Sequence, residues 1–262
     1  MKLLTLNCHS WQEKQQLEKI KYIAKTIYEN NYDVISLQEV SQLIDSNLVY
    51  DNIKESNFAL LLDKELKQLG CNNYNFYFDI SHIGYDIYEE GLCIFTKHPI
   101  KSKESFIVSK NKSISSYKTR KIVKTTIEYN NKEIDVYSCH LGWWSDNDEC
   151  FKHQVDILVE NIGNNITFLM GDFNNDANIL NEGYEYILKQ NILDTYKLSK
   201  NKDLGITVKG KIDGWSNNTK DMRLDIIFTN SNIDVMNSNV IFNGENKNIV
   251  SDHFGVEIEV NL

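Results

Sequence analysis

Short apolar runs rich in Ile, Val, Phe and Tyr recur along the whole chain, each bounded by Asn, Asp, Gly or Lys. Runs of that kind read as β-strands. They predict strands at Lys2–Leu6, Asp33–Leu37, Leu92–Thr96, Ile122–Tyr129, Ile134–Ser138, Ile166–Met170, Leu224–Thr229 and Val256–Val260. Between them the spacing turns helical. Leu17, Ile20, Ala24 and Ile27 form one stripe. Phe58, Leu61, Leu62, Glu65, Leu66 and Leu69 form a second, which Gly70 would stop, and Val155, Leu158 and Ile162 form a third, ended by Gly163. Strands and helices mix without strict alternation, which favours layered α+β over a doubly wound sheet. No repeat and no Pro/Gly/Ser linker divides the 262 residues, so a single domain over 1–262 is expected.

The ends of the runs are where chemistry gathers. The first run ends on Asn7 and the second on Glu39. A third ends on His140, and a fourth on Asp172 with Asn174 two residues further on. Asp225 opens its run instead, as an antiparallel strand would place it at the same sheet end, and Asp252 and His253 immediately precede the last run. Taken singly these are ordinary: a strand-end glutamate is usually solvated, a lone histidine usually sits at the edge of a core, and Gly-Asp-Phe-Asn makes a turn. Together they describe one polar mouth on an apolar sandwich. Hard oxygen donors without cysteine suit Mg²⁺, with Mn²⁺ as a substitute, better than zinc. Mg²⁺ takes one or two carboxylates plus a substrate phosphate, so Glu39 with Asp252 or Asn7 would suffice. Phosphoester hydrolysis further needs an oriented water, a proton acceptor and donors for the phosphoryl oxygens, roles open to the histidines and remaining acids.

Charge narrows the partners. The net charge of −9 argues against a protein that grips long polyanions, since phosphate-backbone binding draws on a basic surface. The five cysteines include no CxxC pair and read as reduced thiols of a cytoplasmic protein. The start MKLLTLNCHS does not resemble a signal segment, and no run approaches the ~20 apolar residues of a membrane span, so no membrane partner is expected.

In order along the chain, LNCHSW, LQEV, SCHL, MGDFNND, RLDIIF and VSDHFG resemble the motifs of the endonuclease/exonuclease/phosphatase superfamily, from Leu6 to Gly255. The resemblance implies a four-layer α/β/β/α sandwich of the deoxyribonuclease-I type, with its site at one end of two packed sheets. It implies Glu39 as principal metal ligand, supported by Asn7 and Asp252. Asp172 would orient or deprotonate water beside a phosphate-holding Asn174, His253 would pair with Asp225, and His140 would donate to a phosphoryl oxygen. Whether Asp172 or the His253–Asp225 pair is the general base stays open, as does the number of metal ions. Longer phrases, HLGWW, FKHQVD, GITVKGKIDGW and VIFNG, look closest to bacterial maltose-6′-phosphate phosphatases. That implies a phosphatase for a small phosphorylated sugar, monomeric or weakly oligomeric. A nuclease of the deoxyribonuclease-I or abasic-site type and a sphingomyelinase-like phosphodiesterase are the alternatives.

Two arginines and two tryptophans stand out further. Arg120 and Arg223 are the only arginines in a lysine-rich chain, and a guanidinium offers phosphate a planar fork that lysine lacks. Arg120 is therefore a candidate phosphate clamp, and Arg223 a candidate brace for Asp225. Trp143 and Trp144 follow His140 closely and could stack on a sugar face. The polar stretch 110–121 reads as a mobile surface loop able to cover the site.

Overall fold

The computed structural model describes residues 1–262. The chain begins β1 (Lys2–Asn7), α1 (Gln16–Asn30), β2 (Val34–Leu43), a small hairpin β3 (Leu48–Tyr50) and β4 (Ile53–Lys54), and α2 (Phe58–Gln68). It continues β5 (Asn75–Gly84), β6 (Tyr88–Thr96), β7 (Ile100–Ile107), β8 (Lys121–Tyr129), β9 (Lys132–His140), α3 (Phe151–Glu160) and β10 (Ile166–Asp172). Then come α4 (Gly183–Leu188), β11 (Leu193–Asp194), α5 (Thr195–Leu198), β12 (Asn201–Lys202), β13 (Val208–Lys209) and β14 (Asp221–Met222). The last strands are β15 (Asp225–Thr229), β16 (Asp234–Ile241) and β17 (Gly255–Asn261).

Two mixed sheets result, one of seven strands ordered β12-β16-β17-β1-β2-β6-β5 and one of six ordered β11-β15-β10-β9-β8-β7. Their centres repeat one plan. In the first, β1 runs parallel to β2 through α1, and antiparallel β17 and β6 flank the pair. In the second, β9 runs parallel to β10 through α3, and antiparallel β8 and β15 flank the pair.

Three apolar layers make this a four-layer sandwich. Ile20, Ile23, Ala24 and Ile27 of α1 pack with Phe58 and Leu62 of α2 on the outer face of the first sheet. Leu3 and Val34 meet Val136 and Phe168 between the sheets, while Leu169 and Phe228 face α3 and α4 on the far side. Because both faces of the central strands are covered, their sequences are almost continuously apolar. Polar groups enter the inter-sheet layer toward one end. There Ser36 Oγ donates to the Met170 carbonyl at 3.2 Å, Gln38 Nε2 to Ser138 Oγ at 3.1 Å, and Ser138 Oγ to the Leu37 carbonyl at 3.1 Å.

Departures from the sequence reading have local causes. Strands β5, β7 and β16 were not expected: β5 and β7 are sheet edges and β16 is covered outside only by the two-residue β12, so their solvent-facing positions are polar. Ile23 takes the sheet-facing place assigned to Leu17, which is 56% exposed. α2 stops at Gly70 as expected; its φ of +89° lets Cys71 N reach the Leu66 carbonyl at 2.9 Å. α3 ends before Ile162.

Candidate active site

The parallel strands β1, β2, β9 and β10 all point their C-terminal ends to the polar end of the sandwich. Register then does the placing: Asn7 lies opposite Gln38, His140 opposite Asp172, and Asp172 opposite Asp225. β2 continues past Glu39 because its pairing with β6 shifts register between Leu37 and Val40. Glu39 sits in that irregularity at φ +52°, which turns its carboxylate out of the ladder. Asp172 depends on the residue before it. Gly171 has φ +153°, and a Cβ there would lie 1.9 Å from the Cys139 carbonyl oxygen. Only glycine lets β10 bring Asp172 alongside His140.

The side chains meet across the seam between the sheets. Asn7 Nδ2 donates to Glu39 Oε1 at 2.8 Å and to Asp172 Oδ2 at 3.2 Å. Asp172 Oδ1 accepts from the Asn174 backbone N–H at 2.8 Å. His140 Nε2 and His253 Nε2 each stand 3.7 Å from Asp172 Oδ2, and His253 Nδ1 lies 2.9 Å from Asp225 Oδ2. Asp252 is 3.4 Å from His9 Nδ1, which also contacts Glu13 at 2.9 Å. Asn174 Nδ2 donates to the Leu141 carbonyl at 3.0 Å. All eight strand-end residues of the sequence reading therefore converge on one end of the sandwich: Asn7, Glu39, His140, Asp172, Asn174, Asp225, Asp252 and His253.

The two buried histidines are driven in opposite directions. Burial and the Arg120 charge hold His140 well below the ordinary imidazole range. Burial opposes charge on His253 as well, but Asp225 and Asp172 outweigh it and hold its ring well above that range. Burial raises Asp172 to about 7 in spite of His253. Burial and then the Asp252 charge raise Glu39.

That pairing of acids is a test of metal fit. Glu39 and Asp252 repel, and a divalent cation between them would relieve the repulsion. Glu39, His140 and Asp172 also hold donor atoms within 4.8 Å of one another, as do His9, Glu13 and Asp252. The oxygen-rich donor set fits a hard cation, with Asn7, Glu39 and Asp252 as the residues that would hold it.

A cavity of about 420 Å³ opens above these groups. Arg120 and Trp143 line it, with the guanidinium carbon 5.4 Å from the indole centroid. Arg120 is 5% exposed and pairs with no carboxylate. Trp144 departs from expectation. It turns away from the cavity, edge-on to Phe151 at 6.1 Å and tilted on Tyr186 at 6.2 Å, under Lys152. The loop turns the two consecutive rings to different sides, and Trp143 is the one that lines the cavity. Arg223 does not brace Asp225 either; its Nη2 pairs with Asp194 at 2.7 Å. The 110–121 stretch is tied down instead of loose. Glu149 accepts from Lys110 N at 2.9 Å and Asn111 N at 2.8 Å, and Lys118 pairs with Asp146 and Asp148, each at 3.0 Å. Ser115 and Tyr117 of this stretch line the cavity.

Several cavity residues escaped the sequence reading. Glu90, 9% exposed, is raised by burial and the Glu39 charge to about 8 and lies 3.3 Å from His82 Nε2. It sits next to the apolar part of β6 on the side of Glu39, just as Asp225 opens β15. The pattern that marks Asp225, a polar residue just before the apolar run of an antiparallel strand, marks Glu90 before Leu92–Thr96 as well. Tyr85 and Asp213 lie on turns without periodicity, and nothing in the sequence joins them.

The sequence matches the description "Endonuclease/Exonuclease/phosphatase family" over residues 4–253. The chain belongs to this family. Its members are metal-dependent phosphoester hydrolases, and the chain is an enzyme of that class. A solved endonuclease/exonuclease/phosphatase family protein from Leptotrichia buccalis C-1013-b is 40% identical, with a TM-score of 0.94 and all of both chains covered. A mannosyl-6-phosphatase from Bacteroides thetaiotaomicron VPI-5482 is 18% identical, with a TM-score of 0.72 and all of both chains covered. Beta toxin from Staphylococcus aureus is also 18% identical, with a TM-score of 0.66 and all of both chains covered. These last two likenesses are of fold. No curated protein matched the sequence. The deoxyribonuclease-I-like sandwich of this family is the fold described above, and none of the helices is long and apolar enough to cross a membrane.

Proposed function

We propose that this enzyme is a Mg²⁺-dependent phosphatase that removes the terminal phosphate of a small phosphorylated sugar. The observation that carries the reading is Arg120, a buried guanidinium without a carboxylate partner, facing a cavity whose catalytic acids lie beneath it. A buried cation keeps its charge most readily when an anionic ligand completes it. The cavity's roughly 420 Å³ suits a drug-sized molecule better than a polymer. Trp143 beside Arg120 offers a flat apolar face for a sugar ring. The mannosyl-6-phosphatase among proteins of this fold adds to the case for a sugar phosphate.

In this reading Arg120 and Asn174 orient the phosphoryl group, and Asn7, Glu39 and Asp252 form the cation site. Bound Mg²⁺ would neutralise phosphoryl charge and polarise the phosphoester. Asp172, raised to about 7, accepts the proton of the attacking water, a value suited to a base near neutral pH. His253, held protonated by Asp225, cannot be that base; it stabilises negative charge or protonates the departing alkoxide. His140, kept neutral, donates a hydrogen bond to a phosphoryl oxygen.

The test is phosphate release from a panel of sugar phosphates, inositol phosphates and nucleotides with Mg²⁺, beside a plasmid-nicking assay. Sugar phosphates should lead the panel, EDTA should abolish release, and Asp172→Asn should remove nearly all of it. Nicking that outpaces phosphate release would make the enzyme a nuclease.

A further inference from the structure

Residues 205–221 form an arch over the cavity, and it is a built element. Val208–Lys209 pairs with Asp221–Met222 at its base, and Val208, Met222 and Leu224 make a small apolar cluster of their own with Ile212 and Trp215 against it. Three contacts fix the arch to the site. The Tyr85 hydroxyl, on the turn between β5 and β6, donates to Asp213 across the cavity rim. Gly214, at φ +72°, lies so close to Trp143 that a Cβ would come within 2.8 Å of Cζ2. Trp215 Nε1 donates to Asn174 Oδ1 at 3.0 Å, fixing which way that amide points.

The arch also shapes the charge of the cavity. Glu39, Asp86, Glu90, Asp172 and Asp213 line it against Arg120 as the one arginine or lysine. One phosphate can be held by Arg120 and a cation, but a second phosphate nearby would meet carboxylates. Hydroxyl groups, by contrast, find acceptors there.

We propose that the arch, latched by Tyr85 and Asp213, is the specificity element of this enzyme. It closes one side of the cleft, so a phosphate enters only at the end of a molecule. A phosphodiester carries two ester arms that need separate exits, and the latch blocks one of them. Asp86 then faces the polyol portion of a terminal monoester, while Asp213 is held by the Tyr85 hydroxyl. This rests on the phosphatase reading for the identity of the substrate, but not for the action of the latch.

The experiment compares wild type with Tyr85→Phe and Asp213→Ala on p-nitrophenyl phosphate and bis(p-nitrophenyl) phosphate, with a monosaccharide phosphate and a phosphorylated oligosaccharide as a second pair. Thermal melting checks that each variant is folded. Neither residue belongs to the catalytic set, so p-nitrophenyl phosphate kcat/KM should stay within about twofold of wild type. The diester-to-monoester ratio should rise about tenfold or more, and the larger sugar should gain on the smaller. Ratios unchanged in both folded variants would overturn the proposal, even with the phosphatase reading intact. A wild type that prefers the diester would overturn both the phosphatase reading and the latch, whereas a wild type that prefers the monoester with ratios unmoved in the variants would overturn the latch alone.

Discussion

His253 Nδ1 lies 2.9 Å from Asp225 Oδ2, while Nε2 of the same ring faces Asp172 Oδ2 at 3.7 Å. An imidazole with a carboxylate at each nitrogen holds both protons, which accounts for its raised pKa despite burial. Its contribution to stability is complete below the unfolded imidazole value near pH ~6.5 and is lost as pH rises through the higher folded value. Asp225→Asn removes the main source of that shift. NMR titration should show the His253 pKa falling, and kcat should drop by about 10²- to 10⁴-fold. A wild-type ring pKa in the variant would refute this account of the pair.

Metal binding should be most visible at alkaline pH. Glu39, Asp172 and Glu90 are all raised by burial first, the last two to about 7 and about 8. A carboxyl raised in the folded state stabilises below its unfolded value near ~4 and loses that contribution as pH climbs through the folded one. The metal-free enzyme should therefore weaken between about pH 6 and 8, and Mg²⁺ held by Glu39 and Asp252 beside these groups should restore part of the loss. At an excess near a hundredfold over Kd, Mg²⁺ should raise Tm by about 5 °C or more at pH ~8.5 and by less at pH ~5.5. Equal shifts at both values would count against Glu39 as a ligand.

Arg120→Lys keeps the charge and loses the fork. Hydrogen bonds to charged groups contribute about 1.5–3 kcal/mol, so kcat/KM should fall by about 10- to 100-fold, mostly through KM. An unchanged KM would remove Arg120 from phosphate binding.

The two tryptophans should separate cleanly. Trp144→Ala removes packing against Phe151 and Tyr186 and should cost about 2–3 kcal/mol in denaturant unfolding without moving KM. Trp143→Ala should raise KM for the sugar substrate at smaller cost in stability.

Gly171→Ala tests the backbone approach that places Asp172. With a Cβ 1.9 Å from the Cys139 carbonyl, β9 and β10 must part. A loss of about 3 kcal/mol or more is expected, with kcat falling even in the folded fraction. An alanine variant that melts like wild type would mean the strands can yield there.

Much of this arrangement is legible in the sequence because the central strands are covered on both faces. Within those strands the polar residues are mostly small or uncharged, so the chemistry-bearing ends at Asn7, Glu39, His140 and Asp172 stand out. Glu90 follows the same rule in reverse: like Asp225, it precedes the apolar run of a strand that runs the other way. Strands β5 and β7 at sheet edges, and β16 next to one, lack the pattern, since water reaches one side of them. Tyr85 and Asp213 are separated by 128 residues on two turns, and only the folded chain brings them together. For Trp143 and Trp144, sequence gives adjacency but not the direction in which the loop turns each ring.

The hydrogen bond from Asn7 to Asp172 joins the two sheets, and so does the contact of His253 with Asp225. Glu39 and Asp252 belong to the first sheet and its approaches, Asp172 and Asn174 to the second. Neither half of the repeated plan carries a complete site. The catalytic centre is therefore a joint, and whatever binds in it ties the halves together. Sliding one sheet along the other would pull these groups apart, so a bound ligand should resist that motion alongside the apolar layer that holds the sheets together.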